Sequence, residues 1–225
     1  MIDPWTPWPV SLTTVLLAAL GLSVLLCLVL VRLAWCLPRR LDPDLPAVPT
    51  KLHRHLRLIF CVLAPLLALV CGWRFGATGA ALAAVFLVCI LLALAWIDAE
   101  TSFLPDWLTL PLLGTGLLAS AWGVFATFMD ALIGAAVAYL ALWCLCQVFL
   151  WLRGVQAMGG GDLKLLAALG AWLGWMALPR ILLIAATVAL VVALLRRAAG
   201  QLAAGQAFAF GPYLAGAGIM VLLGG

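Results

Sequence analysis

The chain has 225 residues, 68% of them hydrophobic and only 9% charged. A soluble domain is about half apolar and a quarter charged, so a water-soluble globule is excluded and a polytopic membrane protein is expected. The net charge of +4 falls at the flanks of apolar runs, where it reports topology, and no nucleic-acid partner is expected.

The runs suit helices and lack the alternation of an outer-membrane barrel. The expected class is therefore all-α: a membrane helix bundle in contact with the lipid bilayer. The opening "MIDPWTPWPV" lacks a basic n-region and a small-residue cleavage site, so no signal peptide is expected there. A spanning helix needs about 20 mostly apolar residues. Such segments lie near 11–31, 57–73, 78–97, 107–125, 129–151, 163–178, 181–195 and 207–223, giving about eight spans. The Pro179-Arg180 step is read as a tight turn between two helices or a kink within one.

Charge tests that count, because Lys and Arg collect in cytoplasmic loops. Arg32, Arg39, Arg40, Lys51, Arg54, Arg57, Arg153, Lys164, Arg196 and Arg197 alternate onto one side, and only Arg74 and Arg180 fall on the other. The split places both termini outside, in the periplasm, and the loops near 33–56, 98–106, 152–162 and 196–206 inside. Two units follow: residues 1–56, with the first helix and a basic, proline-stiffened loop, and a core over 57–225. His53 and His55 are expected at the surface of that loop. Seven cysteines occur without a CxxC pair, so neither zinc ligation nor a disulfide framework is expected.

Eight acids remain. Asp3, Asp42 and Asp44 fall in solvated segments, and Asp130 suits the start of a helix, as a cap or beside the positive dipole end. Asp98, Glu100, Asp106 and Asp162 gather on the inner face. Asp98 ends an apolar run at the unfavourable end of a helix dipole, and an acid so placed points to function. Glu100 falls in the short connection that follows. Asp106 and Asp162 are each placed as N-caps. Gly159, Gly160 and Gly161 before Asp162 give a chain able to take positive φ or to admit another backbone closely. The stretch is not the GxxxxGK[ST] of a nucleotide loop.

Asp98 and Asp162, meeting across two helix ends, would share a proton. That equips them for peptide hydrolysis: one activates water, the other polarises the carbonyl and protonates the leaving amine. No cofactor or metal is needed. A glycine loop can hold an extended peptide beside such a pair. A proton-coupled carrier using the same acids and a catalytically idle assembly factor stay open as alternatives.

"WIDAETSFLPDWLTLP" (96–111) followed by "MGGGDLKLLAALGAWLG" (158–174) resembles the bacterial prepilin peptidases, or type IV leader peptidases, which are membrane aspartyl proteases of the GxGD type. "FGPYLAGAG" (210–218) is similar to the family's last helix. The resemblance implies that Asp98 and Asp162 are catalytic and that Asp106 is a motif acid. With it go Gly159, Gly160, Gly161 and Lys164 as residues near the substrate. It implies leader removal from prepilins or pseudopilins at the cytoplasmic face of the inner membrane, in pilus or type II secretion assembly. Many members carry a CxxC-bearing cytoplasmic domain associated with N-methylation. Here the corresponding region shrinks to about 33–56, so methylation is not expected.

Overall fold

The computed structural model describes residues 11–41, 51–154, 158–200 and 209–224. Asp3, Asp42 and Asp44, the middle of the expected 33–56 loop and most of the 196–206 loop lie outside these residues. The described residues form helices throughout: α1 (Leu12–Leu41), α2 (Lys51–Phe75), α3 (Gly79–Thr101), α4 (Asp106–Ala121), α5 (Phe128–Arg153), α6 (Gly160–Leu173), α7 (Leu178–Ala198) and α8 (Gly211–Gly224). A 3₁₀ turn (Trp175–Ala177) joins α6 to α7.

Among the described residues, five helical stretches are long and apolar enough to cross a bilayer: Leu12–Cys36, Leu52–Phe75, Gly79–Thr101, Phe128–Arg153 and Trp175–Ala198. The chain has the helices of a multi-pass membrane protein. Helices α4, α6 and α8 have only 16, 14 and 14 residues, fewer than the roughly 20 of a full crossing.

Helix α3 is the axis of the bundle. It is apolar on every face, the pattern of a helix buried all round, and Leu87, Leu91, Leu94 and Ile97 are fully buried. Helices α1, α2 and α8 pack around it, with α6 behind α8. Small residues let the remaining helices approach closely. A side chain added at Gly170 would lie 2.5 Å from the Gly134 carbonyl, so α5 and α6 cross backbone to backbone. Trp172 of α6 lies over Gly116 of α4, and its Nε1 donates to the Leu112 carbonyl at 2.9 Å. Ser120 Oγ donates to the Ala171 carbonyl at 2.8 Å. These two bonds satisfy buried donors that would otherwise be costly in an apolar interior and fasten α4 to α6.

Four expectations change. The 33–56 segment is shorter as a loop than its polar composition suggests, since α1 runs on to Leu41 and α2 begins at Lys51. Tertiary packing holds that extension: Ala34 is buried, and Trp35 meets His53 edge-on at 4.6 Å between ring centroids. His53 is not a surface histidine. It is 3% exposed, and its Nδ1 lies 2.8 Å from Glu100 Oε2. Glu100 itself stands in the last turn of α3, not in a connection. Finally, the break near Pro179-Arg180 lies earlier. Helix α6 stops at Gly174, whose φ of +78° only glycine takes easily, and Pro179 sits inside the first turn of α7, where a missing N–H costs nothing.

Candidate active site

Helix α3 ends on a left-handed residue that is not glycine. Ser102 has φ 51°, and its N–H donates to the Asp98 carbonyl at 2.8 Å. Such a conformation costs on the order of 1 kcal/mol or more and concentrates at functional sites. It turns the chain sharply, so that Phe103-Leu104-Pro105 crosses the end of the bundle. The proline after Leu104 disfavours helical backbone there, and Pro105, itself extended, is the cap from which α4 starts.

The crossing explains one glycine. A Cβ at Gly161 would lie 2.5 Å from Leu104 Cβ, so only glycine lets the start of α6 meet this connecting segment. The triplet does not use positive φ: Gly159 has φ −70°, and Gly160 and Gly161 are already helical. Of the two reasons expected for the glycines, close approach holds and left-handed backbone does not.

Asp162 consequently stands in the first turn of α6, two residues inside its start, and makes no side-chain cap. Asp106 is likewise the first helical residue of α4 and not its cap. Its Oδ1 instead accepts from Lys164 Nζ at 2.6 Å, linking the starts of α4 and α6.

Asp98 and Asp162 are 4% and 8% exposed. Both line one cavity of about 280 Å³ with Ser102, Leu104, Asp106, the three glycines and Lys164. All seven residues expected at the site, Asp98, Asp106, Gly159, Gly160, Gly161, Asp162 and Lys164, therefore meet there. Thr109, also in the motif, is fully buried and bonds the Pro105 carbonyl within its own helix.

The sequence did not reveal Gly211. Its N–H donates to Asp98 Oδ2 at 2.9 Å, and a Cβ there would lie 2.7 Å from the same oxygen. It is the first residue of α8, so Asp98 leaves the negative end of α3 and enters the positive end of α8, where a carboxylate is stabilised. The available signal was glycine followed by proline at a helix start in "FGPY", but nothing local names its partner 113 residues away. Asp162 differs: its Oδ1 is buried with no hydrogen-bond partner among the described residues.

The fold is thus an apolar helical bundle of the membrane type, with two buried acids and a glycine-bearing turn in a cavity at one end. Residues 85–194 match the sequence model of the type IV leader peptidase family, and this stretch of the chain is similar to that family. The match contains both acids, the glycines, Asp106 and Lys164, but neither His53 nor Gly211. Over 151 residues the chain is 52% identical to the prepilin leader peptidase/N-methyltransferase of Burkholderia pseudomallei (strain 1026b), covering 67% of this chain and 49% of that protein. It is 44% identical over 168 residues to the protein of the same name in Stutzerimonas stutzeri, covering 72% and 58%. The like-named Pseudomonas aeruginosa protein is 44% identical over 154 residues, covering 68% and 53%. The chain spans about half the length of the curated relatives it matches. No solved structure matches it significantly.

Proposed function

We propose that this chain is an aspartyl endopeptidase of the bacterial inner membrane that removes the leader from prepilins or pseudopilins, in assembly of a type IV pilus or a type II secretion system. The observation that carries the reading is the convergence of Asp98 and Asp162, 64 residues apart in sequence, on one cavity beside a backbone-lined turn. A buried acid is costly, and two in one cavity are costlier, because neighbouring carboxylates do not both ionise easily.

In the proposed reaction the pair holds one shared proton. The ionised member takes a proton from water as the water attacks the scissile carbonyl. The protonated member donates to the carbonyl oxygen, and its proton passes to the leaving amine. The glycine turn gives an extended substrate room to run its backbone beside the acids. Lys164 and Asp106 border the opening. The proposed topology has eight crossings, with α4, α6 and α8 as short spans, periplasmic termini, and the cavity at the cytoplasmic face. The ten-to-two division of basic residues supports it. Within it, residues 57–225 form the peptidase core. N-methylation lies outside the proposal, since the chain has no CxxC pair.

The test is co-expression of the full chain with a prepilin. The wild type should convert precursor to the shorter form on a gel. Asp98→Asn, inserted at equal abundance, should not. Equal conversion by both would overturn the reading.

A further inference from the structure

Asp98 lies between Trp96 and Glu100 near the end of α3. Residues four apart on a helix share a face. At 3.6 residues per turn, the residue midway between them points about 200° away. Trp96 and Glu100 therefore look one way and Asp98 the other. Asp98 looks toward α8, where its Oδ2 accepts from the Gly211 amide at 2.9 Å. The opposite face receives α2. His53 Nδ1 lies 2.8 Å from Glu100 Oε2, and its ring centroid is 5.1 Å from that of Trp96. Phe60, about two turns further along α2, reaches the same indole at 5.6 Å. Trp35 of α1 meets the imidazole in a T-shaped contact at 4.6 Å.

The angle of α3 at this level decides where the acid stands. The helix closes at the left-handed Ser102, four residues after Asp98, and helix ends are the part most ready to fray. A roll of about 10° moves a group about 5 Å from the helix axis by about 1 Å. A displacement of that size in a reacting group can cost about 10²-fold. The bond to Gly211 does not fix the roll by itself, because the end of α3 can pivot about it. A second fixed contact on the opposite face does. An apolar pair can hold two helices together as well as a buried polar pair, but apolar attraction is non-directional. A hydrogen bond has a preferred direction, so the contact between His53 and Glu100 sets the angle of α3 as well as its distance from α2.

We propose that His53 and Glu100 are positioning residues for Asp98. The pair fixes the far face of α3 against α2 and so keeps the Asp98 carboxylate on the Gly211 amide and in the cavity it shares with Asp162. The effect on rate rests on the proposed peptidase reading, whereas the placement of residue 98 against residue 211 can be measured without a substrate.

The first measurement is cleavage of a full-length prepilin by the purified full chain in lipid. His53→Leu should lower kcat about tenfold, the share expected of a shift below 1 Å, and change KM less than about twofold. Glu100→Gln should do the same. His53→Asn, whose amide nitrogen can stand where Nδ1 stands, should recover most of the rate. The double change His53→Leu, Glu100→Leu should regain Tm without regaining kcat, which a merely structural pair would not do. The second measurement needs no activity. A Cβ at Gly211 would lie 3.2 Å from Asp98 Cβ, close to the separation of about 3.5–4.5 Å that a disulfide spans. Oxidative cross-linking of the Asp98→Cys, Gly211→Cys variant, read by peptide mass, therefore reports how α3 presents residue 98 to α8. Adding His53→Leu should slow that cross-link several-fold at equal abundance, and adding His53→Asn should not. A wild-type chain that cleaves no prepilin would overturn the proposed function, and the cross-link would still decide the positioning. Wild-type kcat in His53→Leu, return of kcat together with Tm in the double variant, or an unchanged cross-linking rate would overturn the assignment.

Discussion

The two buried acids are alike in exposure and unlike in support. Asp98 stands at the unfavourable end of its own helix and is stabilised by a different one, through the Gly211 amide at the start of α8. Asp162 stands at the favourable end of its own helix, yet one of its oxygens is buried without a partner among the described residues. One acid is anchored and the other keeps an open hydrogen-bonding position. A carboxylate held for structure alone would be expected to have both oxygens satisfied. The fold fixes one member of the pair through a backbone amide and leaves the other with an open acceptor.

The strongest way to break this comparison is to remove the acids themselves. Asp98→Asn and Asp162→Asn keep shape and remove ionisation, and each should lower cleavage by several orders of magnitude. The double variant should be little worse than either single one, because residues that act as a unit are non-additive. Conversion of a full-length prepilin in membranes, with abundance checked by blot, measures this. If the double loss equals the product of the single losses, the acids act separately and the dyad is wrong.

Glycine substitutions sharpen it. Gly211→Ala places a methyl group 2.7 Å from Asp98 Oδ2, so it should displace the anchored acid directly. A shift of about 1 Å in a reacting group can cost about 10²-fold, and the loss should fall on kcat with KM little changed. Gly161→Ala should cost less, because it presses on Leu104 and displaces Asp162 only through the backbone. Gly160→Ala meets nothing within 4 Å. It should leave folding intact, so any rise in KM there reports contact with the substrate. A Gly211→Ala enzyme with wild-type kcat would remove Gly211 from the account of Asp98.

A third change tests the far side of the anchor. The His53–Glu100 pair is buried, with side chains 4% and 10% exposed, and Glu100 is two residues past Asp98. His53→Leu should lower the stability of the inserted protein by about 2 kcal/mol, the scale of a hydrogen bond to a charged group, seen as a lower Tm. The double change His53→Leu, Glu100→Leu should recover part of that loss, since two apolar side chains can replace a buried pair. No change in Tm for the single variant would show that the pair contributes nothing to holding α2 against α3.

These contrasts mark what could be read in the chain without coordinates. The helical class and the gathering of Asp98, Asp106, Asp162 and the glycines follow from apolar run length, charge placement and motif spacing, all of which are local. What escaped depends on tertiary packing. His53 lies in a basic, polar stretch, and only the approach of Trp35, Glu100 and Trp96 (5.1 Å from its ring) buries it. Gly161 has the same local signature as Gly160, and the difference between them is the passage of Leu104. Gly211 is one of 21 glycines, singled out by a partner on another helix. Helix ends shifted for a related reason: a side-chain cap was expected at Asp106 and Asp162, but Pro105 and Gly159 already take those positions, leaving the acids free to face the cavity.

The smallest expected effect belongs to the Lys164–Asp106 pair. It is short, at 2.6 Å, but its side chains are 30% and 52% exposed. Ion pairs in such surroundings contribute about 0–1 kcal/mol. Asp106→Asn and Lys164→Gln should therefore leave Tm nearly unchanged. Both residues border the cavity that holds the acids, so the effect to look for is on substrate entry. Each variant should change KM by a few-fold at most and leave kcat close to that of the wild type. The two variants should also be non-additive, because either one breaks the same link between the starts of α4 and α6. Raising ionic strength should reproduce the effect in the wild type and have less in the variants, since salt screens an exposed pair. A large fall in kcat for Asp106→Asn would contradict this division of roles. It would mean that a third carboxylate takes part in the chemistry, and the anchored-and-open pair would no longer describe the site.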